Sequence, residues 1–484
     1  MKSKIKKNLA YQTIYQLLNT ALPLITSPYL ARVLGASQQG IFSYTQSIVD
    51  YFTLFAMLGV TNYGVRTIAA CGDNRRERNI NFWNIYIFQF VLSIIAMIVY
   101  DGVYLYHFCD KNRLIAFIQG FYILGALIDI NWLFFGVEQF EITIKRSIFI
   151  RLLSFLGILL LVKQPADLWI YTFIMAGSTV FSNAIMWKFL HRIVDFSAFK
   201  YINMNSVCKH IKPNLMLFIP LMAMSVYHTM DKTMLGLLST YEQTGFYYNS
   251  DKVINIPIGI INGIGVVMLP RMSSLAEIGD REQSIKIFNM SIELITCVSS
   301  AMAFGIAAIS KEFIPVFFGD GFDTCAMLII VLAPVLIIKS LSQTSRMQYL
   351  IPNHLEKIFI QSVFAGAISN FIANFFLIEK YGAMGAVIGT LIAEFVTCVW
   401  QYEQMSKFIA VKKTIVKSVI YIFIGFLMFL IVRMLAYIIP DGFIGIIIEI
   451  TVGSIIYIVF VLITWFVTKN TLLTLVKCNL KKGA

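Results

Sequence analysis

Polar side chains recur at helical spacing inside long apolar segments of this chain. Asn8, Gln12, Gln16, Asn19 and Thr26 fall along one face of the first such segment, which Pro23 and Pro28 can bend. Ser43, Ser47 and Asp50 repeat the pattern in the second. Ser225, then His228 or Thr229, then Lys232 do so further on, with Asp231 beside them, followed by Tyr248, Lys252, Asn255 and Asn262. Positions three and four apart share a helix face. A helix that meets only lipid can be uniformly apolar, so a polar stripe faces a wet path or hydrogen-bonds to a neighbouring helix. Four stripes favour a path. The chemistry they offer is binding and passage.

Charge sharpens this reading. A Lys or Arg at mid-bilayer costs at least about 2.5–3.5 kcal/mol on an insertion scale. Lys252 lies about two turns into its segment, where Asp251 or Asp231 can pair with it. Arg32, Arg66 and Lys232 stand near segment ends, where long side chains snorkel to the interface, and Arg66 also fits a cytoplasmic anchor. Lys339 either snorkels or faces a groove. A cationic path suits an anionic cargo such as a diphosphate head group. The acidic residues at comparable depth (Asp50, Asp129, Glu293 and Glu394) are fewer and dispersed. Each is open to two uses, a coupling proton or sodium ion, or pairing between helices.

Covalent chemistry finds little support. The seven cysteines form no C-x-x-C pair or Cys/His cluster, so no metal site or disulfide framework is expected. A membrane-embedded glycosyl- or acyltransferase needs carboxylates or a histidine in an outside loop, and His107, Asp110, Glu312 and Asp320 are isolated from one another. The net charge of +13 reads as loop charge on a membrane protein, with no nucleic-acid partner expected.

The elements that must hold these residues are transmembrane helices. Of the 484 residues, 58% are hydrophobic and 13% charged, with a mean hydropathy of +0.75. A soluble domain carries roughly twice that charged fraction. With about 20 residues per span, the hydropathy places fourteen spans near 9–32, 40–61, 81–104, 114–137, 147–163, 167–188, 213–233, 246–268, 286–309, 324–346, 357–378, 382–403, 415–438 and 442–467. The basic start MKSKIKKN leads into a retained first helix. With both termini cytoplasmic, the outside loops hold eight basic residues (Arg32, Lys111, Arg113, Lys163, Lys232, Lys311, Lys380 and Arg433) and the inside holds 29 of the 39. One missed span would invert every later loop and destroy this split.

The longest loop, about 189–212, separates six spans from eight. The expected organisation is an N-terminal lobe over 1–200, a C-terminal lobe over 201–404, and two further helices with a basic tail over 405–484. LGASQQGIFSYTQS after the first span is echoed by LGLLSTYEQTGFYYNS after the seventh. Such half-to-half repeats are common in secondary transporters. The last two spans carry little polarity beyond Glu449, Thr451 and Ser454 and are expected to meet lipid.

Several segments carry a family resemblance: SPYLARVLGA (27–36), LGVTNYGVRTIA (58–69), DINWLFFGVEQFE (129–141), MDKTMLGLLSTYEQTGFYYNSDKV (230–253), VMLPRMS (267–273), FFGDGF (317–322), YLIPNHLEK (349–357) and NFFLIEKYGAMGAVIGTLIAE (374–394). On these the chain resembles the Wzx-type polysaccharide flippases of the multidrug/oligosaccharidyl-lipid/polysaccharide exporter superfamily, which handle O-antigen and capsule repeat units. The resemblance implies a MATE-like fold, two six-helix lobes in a V with two added helices, in the bacterial inner membrane. It implies alternating access, with an undecaprenyl-diphosphate-linked oligosaccharide as cargo and a polysaccharide polymerase and chain-length regulator as partners. No cofactor is implied, beyond a coupling proton or sodium ion. Arg32, Arg66, Asp231, Lys232 and Lys252 are the charged lumen candidates within the matching motifs, and Gln16, Asn19, Asp50 and Asn255 join them from the stripes. A peptidoglycan lipid II flippase shares this plan. A multidrug or cation antiporter of the related branch usually lacks the last helix pair and has a more acidic site.

Overall fold

The computed structural model describes residues 2–108, 112–196, 199, 202–440 and 442–468, with only the backbone described for residues 2–21, 108, 217, 220 and 221. The side chains of Gln16 and Asn19 therefore lie outside the described residues. The chain is all-helical. Its first part holds α1 (Lys2–Met57), α2 (Val60–Ala70), α3 (Arg75–Val99), α4 (Arg113–Gln119), α5 (Phe121–Leu127), α6 (Asn131–Gly136), α7 (Phe140–Leu161), α8 (Leu168–Leu190), α9 (Met204–Cys208) and α10 (Ile211–Leu238). Then follow α11 (Tyr241–Ile278), α12 (Arg281–Phe318), α13 (Asp323–Ser345), α14 (Glu356–Tyr381), α15 (Ala383–Met405), α16 (Val411–Leu435) and α17 (Phe443–Val467).

All fourteen predicted spans have a helical counterpart. Among the described residues, eleven helical stretches are long and apolar enough to cross a membrane. One of these, Leu22–Ala70, joins the first two predicted spans, because Gly35 (φ 74°) bends α1 without ending it. The other two counterparts are α7, which carries Lys145, Arg146 and Arg151, and α10, which carries Asp231 and Lys232. The predicted start at 147 is corrected to Phe140, since charges early in α7 hide its first two turns from hydropathy.

The predicted continuous span 114–137 is three short helices. Gly120 divides α4 from α5, and Asp129 ends the second break by accepting from the Asn131 N–H at 2.8 Å. Carbonyls released inside a membrane must find other donors. Gln89 Nε2 donates to the carbonyls of Ala126 (2.6 Å) and Asp129 (2.8 Å). Trp187 Nε1 serves Ile128 O at 2.9 Å, and Asn183 Nδ2 serves Gly125 O at 2.9 Å. Trp132, fully buried, donates its indole N–H to Gln89 Oε1 and closes the network.

By packing, the chain divides into Met1–Gly245 and Phe246–Ala484, so α10 goes with the first unit. There the two echoing segments meet backbone to backbone. A Cβ on Gly40 would stand 1.6 Å from Tyr241 O, and one on Gly245 would stand 1.9 Å from Ala36 O. A Cβ on Gly236 would likewise stand 2.0 Å from the Tyr44 ring, whose centre is 5.8 Å from that of Tyr241. Close approach of this kind is open only to glycine.

In the second unit α14 and α15 form a tight pair, and α16 and α17 pack on α12. Arg433 on α16 pairs with Glu312 on α12 at 2.7 Å. Tyr421 Oη donates to Glu293 Oε1 at 3.1 Å, and Tyr457 Oη donates to Cys297 O at 2.7 Å. The last two helices thus grip α12 along one face while Phe423, Phe426, Ile447 and Ile455 stay exposed for lipid.

Two predictions follow from this packing. Gly40→Ala or Gly245→Ala places a methyl against a carbonyl that has no rotamer to change, and should cost about 1–3 kcal/mol or more. The melting midpoint in detergent should drop for both, while Gly263→Ala, whose Cβ meets open space within α11, should not lower it. Tyr63 Oη and His210 Nδ1, 2.7 Å apart, join α2 to the linker before α10. Burial, then the Lys209 charge, hold the His210 imidazole below its ordinary 6.5. As the pH falls below about 6.5, the unfolded chain takes up this proton before the folded one. The contribution to stability is therefore intact above that pH and lost as the pH falls toward the folded value. The melting midpoint should fall between about pH 7 and 5.5, and His210→Gln should remove that part of the slope.

Candidate functional site

The candidate residues form separate stations, one set in each unit. In the first unit, the second half of α1 and the end of α10 bring Asp50 and Lys232 into electrostatic reach of one another. Gln46 Nε2 donates to Asp50 Oδ1 at 2.7 Å, one turn away. Beside them Thr233 Oγ1 donates to Ser47 Oγ at 2.8 Å and lies 3.3 Å from Tyr51 Oη. Ser47 is thus spent on joining helices, the alternative use of a polar stripe. Asp231, 4% exposed, is buried beside this contact. Arg32 is exposed on α1 just before the Gly35 bend, and Arg66 is exposed on α2.

In the second unit, the helical repeat of α11 sets Tyr248, Lys252 and Asn255 on successive turns. The Lys252 ammonium lies 3.9 Å from the centre of the Tyr248 ring. A cation over an aromatic face gains about 0.5–2 kcal/mol, the upper end when desolvated. Asn255 Nδ2 donates to Asp251 Oδ1 at 2.7 Å and to its carbonyl at 2.9 Å. Asn255 itself is exposed. Further along α11, Asn262 lines a cavity of about 240 Å³ with Gln343, Thr344 and Arg346. Arg346 stacks 5.1 Å from the Phe359 ring. Arg346 was not among the predicted residues, because it follows α13 where a span end and a basic anchor look alike.

Lys339 and Glu394 are 55 residues apart in sequence, and α13 and α15 bring them to 3.6 Å. Their side chains are 19% and 5% exposed. This pairing explains how both charges are carried at membrane depth. Removing one partner strands the other, which costs about 3–5 kcal/mol. Lys339→Met should lower the melting midpoint sharply, and the double variant Lys339→Met with Glu394→Leu should recover most of the loss. Equal melting of the single and double variants would show that the pair is not coupled. Among the described residues no group of His, Cys, Asp and Glu could hold a metal ion.

Several known proteins resemble this chain in sequence or in fold. The "Putative O-antigen transporter" of Escherichia coli (strain K12) is 24% identical over 396 residues, covering 81% of this chain and 94% of that one. The "Probable low-salt glycan biosynthesis flippase Agl15" of Haloferax volcanii is 22% identical over 415 residues, covering 82% and 83%. Among solved structures, the lipid II flippase MurJ in its inward closed conformation superposes with a TM-score of 0.74 at 14% identity, over 96% of this chain and all of that one. An inward-facing multidrug resistance MATE transporter superposes with a TM-score of 0.57 at 12% identity, over 82% of this chain and 99% of that one. These structural likenesses establish the fold, the MATE-like one that the sequence motifs implied. The sequence profile described as "Polysaccharide biosynthesis protein" matches residues 5–276, and with more than half of its length inside that match the chain belongs to the polysaccharide biosynthesis protein family.

Proposed function

We propose that this protein is a flippase for polyprenyl-diphosphate-linked oligosaccharide repeat units, acting in the bacterial inner membrane during O-antigen or capsule assembly. The observation that carries the reading is Lys252, a lysine placed well inside a span and held over Tyr248, in a chain of this family. The names of the relatives, an O-antigen transporter and a glycan flippase, support the cargo class. Lys252, Lys232 and Arg32 supply positive charge to the diphosphate, while Asp231, Asn255, Gln16 and Asn19 supply polar groups to the sugars. Arg66 guides the anionic head at the cytoplasmic entrance. The polyprenyl tail stays in lipid, so the protein needs to solvate only the head.

The cycle is alternating access, with the lobes of residues 1–200 and 201–404 as moving bodies and 405–484 as an added helix pair and tail. A coupling proton or sodium ion takes a carboxylate at membrane depth, with Asp50 the candidate beside Lys232. Polysaccharide polymerase and chain-length regulator act on the delivered unit at the far face. The test is complementation of a deletion strain. Lys252→Ala and Arg32→Ala should each abolish surface polysaccharide and cause lipid-linked repeat units to accumulate, with unchanged protein in the membrane. Normal surface glycan from the double variant would refute the reading.

A further inference from the structure

A cavity of about 430 Å³ lies between α1, α5, α7 and α8, wholly within the first unit. Its size is that of a small-ligand pocket. Two arginines of α7, Arg146 and Arg151, line it, with hydroxyls from Thr26, Ser154, Ser178 and Thr179. Ile150, Phe155 and Ile158 form an apolar wall on the same helix, continued by Leu22 and Pro23 of α1. Among the described residues that line the cavity there is no carboxylate.

The geometry of Arg146 is fixed from behind. Its Nη1 donates to Asn131 Oδ1 at 2.9 Å and to Ser182 O at 3.1 Å, and its Nη2 donates to Ser147 Oγ at 3.0 Å. Asn131 is anchored in turn, donating through Nδ2 to Asp129 Oδ1 at 2.7 Å and to Asn183 Oδ1 at 3.0 Å. Asp129 and Arg146 are also within electrostatic reach of one another. Arg146 and Arg151 stand roughly 9 and 17 Å along α7 from its first residue. Both guanidinium groups therefore line the cavity within the spanning helix.

A guanidinium presents a rigid fork of donors that matches phosphate oxygens. The Arg151 guanidinium, the fixed positive charge of Arg146, several hydroxyls and an adjoining apolar wall fit an anion that carries a hydrocarbon chain. We propose that this cavity binds the phosphate head group of a lipid, with Arg151 on the phosphate, Arg146 adding its positive charge from the side, and the α7 wall on the first carbons of the chain. Two lipids share that chemistry, a polyprenyl diphosphate and a membrane phospholipid. With the first as occupant, the site deepens the flippase reading and rests on it. With the second, it is a structural or modulatory lipid site that stands without it.

The experiment is lipid titration by native mass spectrometry on the full-length protein in detergent. The probes are undecaprenyl diphosphate and phosphatidylglycerol. Arg151→Gln should weaken one or both by about tenfold or more, the loss of a charged hydrogen bond. Arg151→Lys, which keeps the charge without the fork, should fall between. Ser154→Leu fills the cavity without altering either arginine and should give the same loss, which keeps the test sound if Arg151→Gln melts early. A loss confined to undecaprenyl diphosphate assigns the site to the cargo, and a loss that includes phosphatidylglycerol assigns it to phospholipid. Unchanged affinity for both probes in folded Arg151→Gln and Ser154→Leu overturns the proposal. The surface-polysaccharide readout for Lys252 is independent of this titration, so each reading can fail alone.

Discussion

In hydrocarbon no water is available to a carbonyl that loses its helix partner, and this constraint governs the first unit. The chain breaks its fourth span twice, between α4 and α5 and between α5 and α6. Gln89, Asn183 and Trp187 reach in from α3 and α8 to take up the released carbonyls. The break at Asp129 and Asn131 then becomes a platform on which Arg146 is mounted. A cationic pocket is therefore a by-product of solving a backbone problem. Without the donors the break would be untenable, and without the break Arg146 would lose an acceptor that holds its guanidinium in place.

The span count was legible in the sequence because two independent signals agreed, hydropathy and the sidedness of Lys and Arg. What hydropathy misjudged were places where a helix is charged or interrupted. Lys145 and Arg146 hid the start of α7, and the run from Arg113 to Gly136, apolar on average despite Gln119, Asp129 and Asn131, read as one unbroken span. An apolar run records where a chain can lie in lipid, without recording whether its hydrogen-bond ladder is continuous.

For the candidate site, contacts within one helix were readable and contacts between helices were not. Tyr248 and Lys252 meet because they are four apart on α11. Lys339 and Glu394 looked like unrelated isolated charges, and only tertiary packing joins them. The echo between LGASQQGIF and LGLLSTYEQTGF gains a physical reason: Gly40 and Gly245 are points at which one segment rests on the other. Nothing in the sequence joined Arg151 to Arg146 or to the hydroxyls of α8.

α11 and α12 have 38 residues each, roughly 57 Å of helix against about 30 Å of hydrocarbon. Met272, Leu275 and Phe288, from the α11–α12 junction, pack with Tyr349, Leu350, Met405 and Ile409 in one buried cluster. Most of these residues lie past the ends of the spans that hydropathy places at 246–268, 324–346 and 382–403. The chain therefore coheres by two different physics. Its spans are held by shape and by hydrogen bonds, since lipid does not drive apolar groups together. This cluster is held by the aversion of water for hydrocarbon, which weakens in the cold and in urea. One molecule thus has two denaturation regimes, and a solute that loosens the water-facing knot leaves the lipid-facing seams as they were.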